Sequence, residues 1–334
     1  MIDKRKNTNI KAPCRTLIAI LLIGFLVLPI TVITRITYSS SRSGKVVFVS
    51  SPPPPLGELF NSDIFVADEK GQNWVRLTND PAEDTWPVWS PDGTQIAFCS
   101  ERDGNKEIYV MDSDGKNQIN LSNNPGPDDE PDWSPDGKKI AFLSKRGGDI
   151  GICVMDADGK NIVMIANELA IGGPAWSPDG KKIAFNKGKG ICVMDTNGKD
   201  QTMLTDEQAY DWWPAWSPDG ENIAFISDRD GNDEVYIMDA DGSNQKRLTD
   251  NPDPDGFPDW TSDGKIIFNR GAEVYIMVSD GKNQKLLIEG AVFPDWFGPS
   301  PGQGMEAAGK LNMTWGNIKV AKWQDGKGAF GVSE

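Results

Sequence analysis

One short string, Trp-Ser-Pro-Asp-Gly, constrains the fold of this chain more than any other feature. It begins at Trp89, Trp133, Trp176 and Trp216, returns as Trp-Thr-Ser-Asp-Gly at Trp260, and persists as a lone tryptophan at Trp296. Successive tryptophans lie 44, 43, 40, 44 and 36 residues apart. A period near 40 residues is one small sheet that cannot bury both of its faces alone, so the units must stack.

The second unit shows the plan. Pro87-Val88-Trp89 is a short strand, and Ser90-Pro91-Asp92-Gly93 is a turn in which Pro fixes one backbone angle and Gly accepts a positive one. Ile96-Ala97-Phe98-Cys99 is the next strand, Ile108-Tyr109-Val110-Met111 the third, and Gln118 to Leu121 the fourth. The Asp-Gly of Asp112-Ser113-Asp114-Gly115 suits the tight hairpin between the last two. Four antiparallel strands, repeated radially, make a β-propeller. The third strand recurs at Ile64, Ile108, Ile152, Ile191, Val235 and Val274, which predicts six blades and an all-β class. The first unit starts at Val46-Val47-Phe48, a second strand without a first. The last ends at Phe293-Pro294-Asp295-Trp296, a first strand with nothing after it. Inserting the C-terminal strand into the first blade closes the ring and removes two open edges.

The pattern Pro-x-Trp-Ser-Pro-Asp-Gly, Ile-Ala-Phe, Glu-Ile-Tyr-Val-Met-Asp and Leu-Thr resembles the TolB-type, WD-like propeller repeat over about 250 residues. The resemblance implies a six-bladed propeller of the bacterial periplasm that interacts with envelope proteins. The TolB family carries an α/β domain before its propeller, whereas this chain has an apolar segment there, so the Tol-system role does not carry over. Similar blades precede the catalytic domain of prolyl-oligopeptidase-like peptidases, but no hydrolase domain follows here.

Composition narrows the function. The chain contains no histidine, which excludes Ser-His-Asp and Cys-His catalysis and imidazole metal ligands. Net charge is −15 overall; residues 1–45 carry +7 and the remainder −22. Such an acidic body repels phosphate backbones and argues against nucleic acid, while its sign suits a cationic partner. Cys99, Cys153 and Cys192 are expected as buried free thiols, and Cys14 lies before the apolar run.

Residues 16–34 lack charge and would rise roughly 28 Å as a helix, about the thickness of a bilayer core. The expected organisation is a basic cytoplasmic N-terminus (1–15), a signal-anchor helix (16–34), a linker (35–44), the propeller (45–296) and a tail (297–334). Basic residues before the apolar run place the repeats outside the cytoplasm, in the periplasm or beyond. A secreted or periplasmic form follows instead if residues 1 to about 41 are cleaved as a signal peptide. The linker would join the Ser-Pro-Asp-Gly face and turn it to the membrane. The opposite, distal face would then meet a partner.

Two residue sets mark that distal face. Asp84, Asp128, Asp211 and Asp255 each precede a repeat tryptophan by five residues, and Arg102, Arg146 and Arg229 follow the first three by 18. Blade four has Ile171 and Lys189 instead. The pairs read either as salt bridges tying loops together or as a charged, ligand-binding ring. Trp86, Trp213, Phe257 and Phe293 lie three residues before a repeat tryptophan, with Trp212 beside one of them. They are expected near the channel mouth, as interblade packing or as a surface for a peptide or sugar. Pro52 to Pro55 with Leu56, Leu59 and Phe60 forms either a docking arm or an ordinary insertion, and residues 311–320 read as a β-hairpin. The Asp-x-Asp-Gly turns at Asp112, Asp156 and Asp239, and Asp228 to Asn232, resemble fragments of calcium loops without a full ligand series, so no cofactor is expected.

The reading from sequence is a monomeric, membrane-anchored, non-catalytic propeller that binds an envelope protein or peptide. The alternatives are a carbohydrate-binding module and a carboxylate-dependent lyase or glycosidase on the distal face.

Overall fold

The computed structural model describes residues 44–51, 61–148, 150–167, 172–206 and 208–298. These form six four-stranded antiparallel sheets. The inner strands are Val292–Phe297 in blade 1, Asp84–Trp89 in blade 2, Asp128–Trp133 in blade 3, Ala175–Trp176 in blade 4, Asp211–Trp216 in blade 5 and Asp255–Trp260 in blade 6. Ring closure is as the broken ends require. Val292–Phe297 pairs antiparallel with Lys45–Ser50, Trp296 lying opposite Val46.

The Ser-Pro-Asp-Gly turn holds itself together. The Ser90 hydroxyl donates to Asp92 Oδ1 at 2.8 Å and accepts from Gln95 N at 2.9 Å. Gly93 N donates to Ser90 O at 2.8 Å, with Gly93 at φ +68°. A side chain at that glycine would also strike the Phe297 ring. Each residue of the string thus has a local task, which is why the string recurs.

The core consists of six layers between blades. One face of each second strand carries a large residue, Phe98 or its equivalents Phe48, Phe142, Phe185, Phe225 and Phe268, all 0 % exposed. The other face carries a small one, such as Ala97, Ala141, Ala184 or Ala224. Ile96, Phe98 and Met111 of blade 2 pack on Val47, Ile64 and Val66 of blade 1, while Ala97 and Val110 of blade 2 receive Phe142 and Met155 of blade 3. Large against small fills the space at native density, and each buried phenylalanine stabilises the ring by about 1.5–3 kcal/mol. Cys99 and Cys153 are buried free thiols, and Cys192 is buried in the layer between blades 3 and 4.

The inner strands differ from the expected three-residue Pro-Val-Trp. In all five of the six-residue inner strands the pairing shifts register, as between Thr85 and Val88. The bulge lets an additional residue face the channel while the strand remains paired at both ends. The apolar segment 16–34, the linker up to residue 43, Pro52–Phe60 and the tail from residue 299 lie outside the described residues. Among the described residues no helix is long and apolar enough to cross a membrane.

Candidate functional site

The bulges build the site. At each, one residue adopts the left-handed backbone region: Trp86 (φ 51°), Glu130 (51°), Trp213 (48°), Phe257 (50°) and Phe293 (52°). For bulky side chains this conformation costs energy, and it persists only where the surroundings enforce it. Two asparagines supply part of that enforcement. Asn186 Oδ1 accepts from Trp213 N at 3.1 Å and Asn269 Oδ1 accepts from Phe293 N at 2.9 Å, each reaching from one blade to the next.

The four aromatic residues meet across the channel at the end opposite the Ser-Pro-Asp-Gly turns. Ring centroids lie 4.1 Å apart for Trp86–Phe293, 5.5 Å for Trp86–Phe257, 5.9 Å for Trp86–Trp213, 4.5 Å for Trp213–Phe257 and 4.6 Å for Phe257–Phe293. Trp212 packs beside them, 5.7 Å from Trp213. All are half-buried, so the cluster is both plug and surface. Its rings pack on one another at mixed angles; they do not form the flat platform that sugar stacking uses.

At the equivalent positions blades 3 and 4 depart from the aromatic pattern, with Glu130 and Gly173. Glu130 Oε2 accepts from Gly173 N and, at 3.3 Å, from Trp213 Nε1. A Cβ at Gly173 would come within 2.8 Å of that carboxylate oxygen, so only glycine admits the contact. The result is a notch in the aromatic plug with a carboxyl group on its wall. Burial, reinforced by the negative charge of Asp129, raises the Glu130 carboxyl to about 7.

Deeper in the channel, the residue before the repeat tryptophan is aspartate in three blades. Asp132 Oδ2 accepts from Trp176 N at 2.6 Å, Asp259 Oδ2 from Trp296 N at 2.9 Å and Asp295 Oδ2 from Trp89 N at 2.8 Å. Each therefore caps a backbone N–H on the free edge of the next blade's inner strand. Burial raises Asp132 to about 7 and Asp259 to about 6; burial and then the charge of Asp259 push Asp295 well up. Together with Glu130 and the aromatics they line a cavity of about 230 Å³.

The Asp–Arg residues belong to the frame. Arg102 Nη2 lies 3.0 Å from Asp84, Arg146 Nη2 3.0 Å from Asp128 and Arg229 Nη2 3.0 Å from Asp211. Asp255, for which spacing offered no partner, pairs with Arg270 at 2.7 Å, 15 residues on. The four aspartate side chains are fully enclosed, so only guanidinium edges face solvent. Arg102 also stacks over Tyr109 at 4.7 Å, as Arg229 does over Tyr236. The Asp-x-Asp-Gly carboxylates are likewise engaged by their own turns, Asp112 taking the Asn117 amide at 2.6 Å. Among the described residues no group of three or more acidic or thiol side chains converges as a metal site.

Glu130, Gly173, Asp132, Asp259, Asp295 and the two asparagines were not anticipated from sequence. The signal was present as departures from the repeat: a carboxylate and a glycine where other blades place aromatics, and aspartate in three blades where the others have Val88, Ala175 and Ala215.

The family model for the tricorn protease N-terminal β-propeller domain matches residues 59–148 and 174–286. The chain belongs to that family. Among solved structures this tricorn-type, TolB-like propeller is similar to TolB from Acinetobacter baumannii, with 23 % identity, a TM-score of 0.65, and coverage of 76 % of this chain and 67 % of that one. It is also similar to a protein described as putative TolB from Agrobacterium tumefaciens, with 24 % identity, a TM-score of 0.60, and coverage of 75 % and 91 %. A chain from a nidogen/laminin complex shares 8 % identity at a TM-score of 0.61, with coverage of 76 % and 98 %. No curated protein sequence matches the chain. At these identities the structural likenesses establish the propeller fold.

Proposed function

We propose that this tricorn-type propeller is a non-catalytic protein- or peptide-binding module of the bacterial cell envelope, held there by the apolar segment 16–34, and that it engages its partner at the distal mouth of the channel. The observation that carries the reading is the cluster of Trp86, Trp213, Phe257 and Phe293, held in a costly backbone conformation around a notch. Interblade packing alone does not require four large rings at a channel end. Clustered aromatics with partial exposure are the composition of binding hot spots. Family membership and the TolB-like fold support a binding role, and the acidic body favours a partner carrying basic groups.

The test is quantitative capture of envelope proteins by the full-length chain, by its Trp86→Ala/Trp213→Ala variant and by an Asp92→Ala control on the opposite face. The reading expects a protein retained by the wild type and the control and lost from the double variant. Equal retention by all three would refute it.

A carboxylate-dependent enzyme is the second reading, favoured by the raised carboxyls of Glu130 and Asp132 in one cavity. Turnover of an acidic or neutral oligosaccharide that disappears in Asp132→Asn would select it over binding alone.

A further inference from the structure

The channel cavity is a box of acids without a base. Four carboxyl groups line it, from Glu130, Asp132, Asp259 and Asp295, and no lysine or arginine is among its lining residues. These four carboxyls are half-buried, and the protein treats its fully buried aspartates differently. Asp63, Asp84, Asp128, Asp211 and Asp255 are each matched by an arginine within 3.0 Å. Buried carboxylates are ordinarily paired, and an uncompensated group is costly. The three aspartates each use Oδ2 to cap a strand edge, and Glu130 uses Oε2 for both of its bonds. Oε1 of Glu130 takes no hydrogen bond among the described residues, and Oε2 receives the Trp213 indole N–H at the notch.

We infer that the channel is a receptor for a single organic cation, the ammonium or guanidinium group of a basic side chain presented by the protein partner. This deepens the proposed function and rests on the distal mouth being the contact surface. Three features fit that ligand. The aromatic faces of Trp86, Trp213, Phe257 and Phe293 accept both an alkyl stem and a cation. The carboxyls supply charge-assisted acceptors for the head group. The cavity, at about 230 Å³, falls below the roughly 300–1,000 Å³ of drug-sized ligand sites and suits one extended side chain. Gly173 is the opening in the ring of bulge residues, because it places no side chain beside Glu130. Binding would supply the missing positive charge and hold the lining carboxyls ionised.

The test uses the full-length chain at pH 8 and reads the indole N–H resonance of Trp213, assigned by its loss in Trp213→Phe. That N–H touches Glu130, so it reports directly on the notch. The probes are n-butylammonium, n-butylguanidinium, the blocked tripeptide acetyl-Gly-Lys-Gly-amide, spermidine and uncharged n-butanol. The proposal expects a saturable shift with the two monovalent cations and the tripeptide, and none with n-butanol. It expects the affinity to fall about tenfold or more in Glu130→Gln and in Asp132→Asn/Asp295→Asn, a loss of about 1.4 kcal/mol or more. Both substitutions remove charge from half-buried positions, so folding is not at risk from an unpaired ion. Equal response to n-butanol, or undiminished cation binding in both variants, would overturn it. Spermidine binding without tripeptide binding would overturn the side-chain assignment in favour of a free polyamine. Partner capture that is lost in Trp86→Ala/Trp213→Ala but kept in Glu130→Gln would refute the cation while leaving the mouth as the contact surface. Cation binding with no partner captured would refute the protein-binding reading instead.

Discussion

Replacing Asp132 by asparagine should stabilise the protein at alkaline pH and much less in acid. The carbonyl of the introduced amide can still accept from Trp176 N, as Asp132 does at 2.6 Å, but it carries no charge. In the folded chain burial raises the Asp132 carboxyl from 3.8 to about 7. Between those values the native state holds a proton that the unfolded chain has released, so stability falls as pH rises from about 4 to about 7 and is level above. Three units at about 1.4 kcal/mol each set a ceiling of about 4 kcal/mol, and the water-facing side of the channel reduces this to about 2–4 kcal/mol. Urea unfolding at pH 4.5 and pH 8 measures the difference. Asp132→Asn should narrow the gap between the two conditions by about 2–3 kcal/mol, with most of the gain at pH 8. Asp259, Asp295 and Glu130 contribute to the residual gap in the same direction. A variant that loses stability at pH 8, or keeps the wild-type gap, would refute the argument that these carboxyls are held charged at a cost.

Other perturbations probe the frame. Phe98→Ala should cost about 3–5 kcal/mol in urea unfolding, because a 0 % exposed ring between blades 1 and 2 would leave a cavity in a closed ring that cannot collapse onto it. Arg102→Ala should cost about 3–5 kcal/mol by leaving the enclosed Asp84 unpaired, whereas removing both charges should cost clearly less. Gly93→Ala should cost about 1–2 kcal/mol or more from the φ of +68° and the approach to Phe297, read as a lowered thermal midpoint.

The architecture was legible because every element of the repeat has a local reason to recur. Ser90, Asp92 and Gly93 bond to one another within a few residues, and Phe98 recurs because each interblade layer needs one large side chain. The three Asp–Arg pairs spaced by 18 residues were equally visible, since spacing within one blade fixes which ends meet. Asp255–Arg270 escaped because Arg270 lies on the second strand itself, opposite Asp255, where other blades place a serine, and the turn before that strand is one residue shorter, so the fixed offset fails. The channel escaped for a different reason. Glu130 meets Trp213 across 83 residues, and Asp295 meets Trp89 across 206. Those contacts exist only after the ring closes, and no periodicity announces them. The bulge was likewise invisible, because a Trp-Pro or Glu-Pro pair reads as a strand end until its two neighbours are seen paired on both sides.

The central claim is that a partner meets this propeller at the distal channel mouth. Photo-crosslinking in living cells tests it most directly, with a benzophenone amino acid placed at position 213 in the mouth or at position 92 in the opposite turn. The account predicts a discrete adduct from position 213 and none from position 92. An adduct from position 92 alone would contradict it.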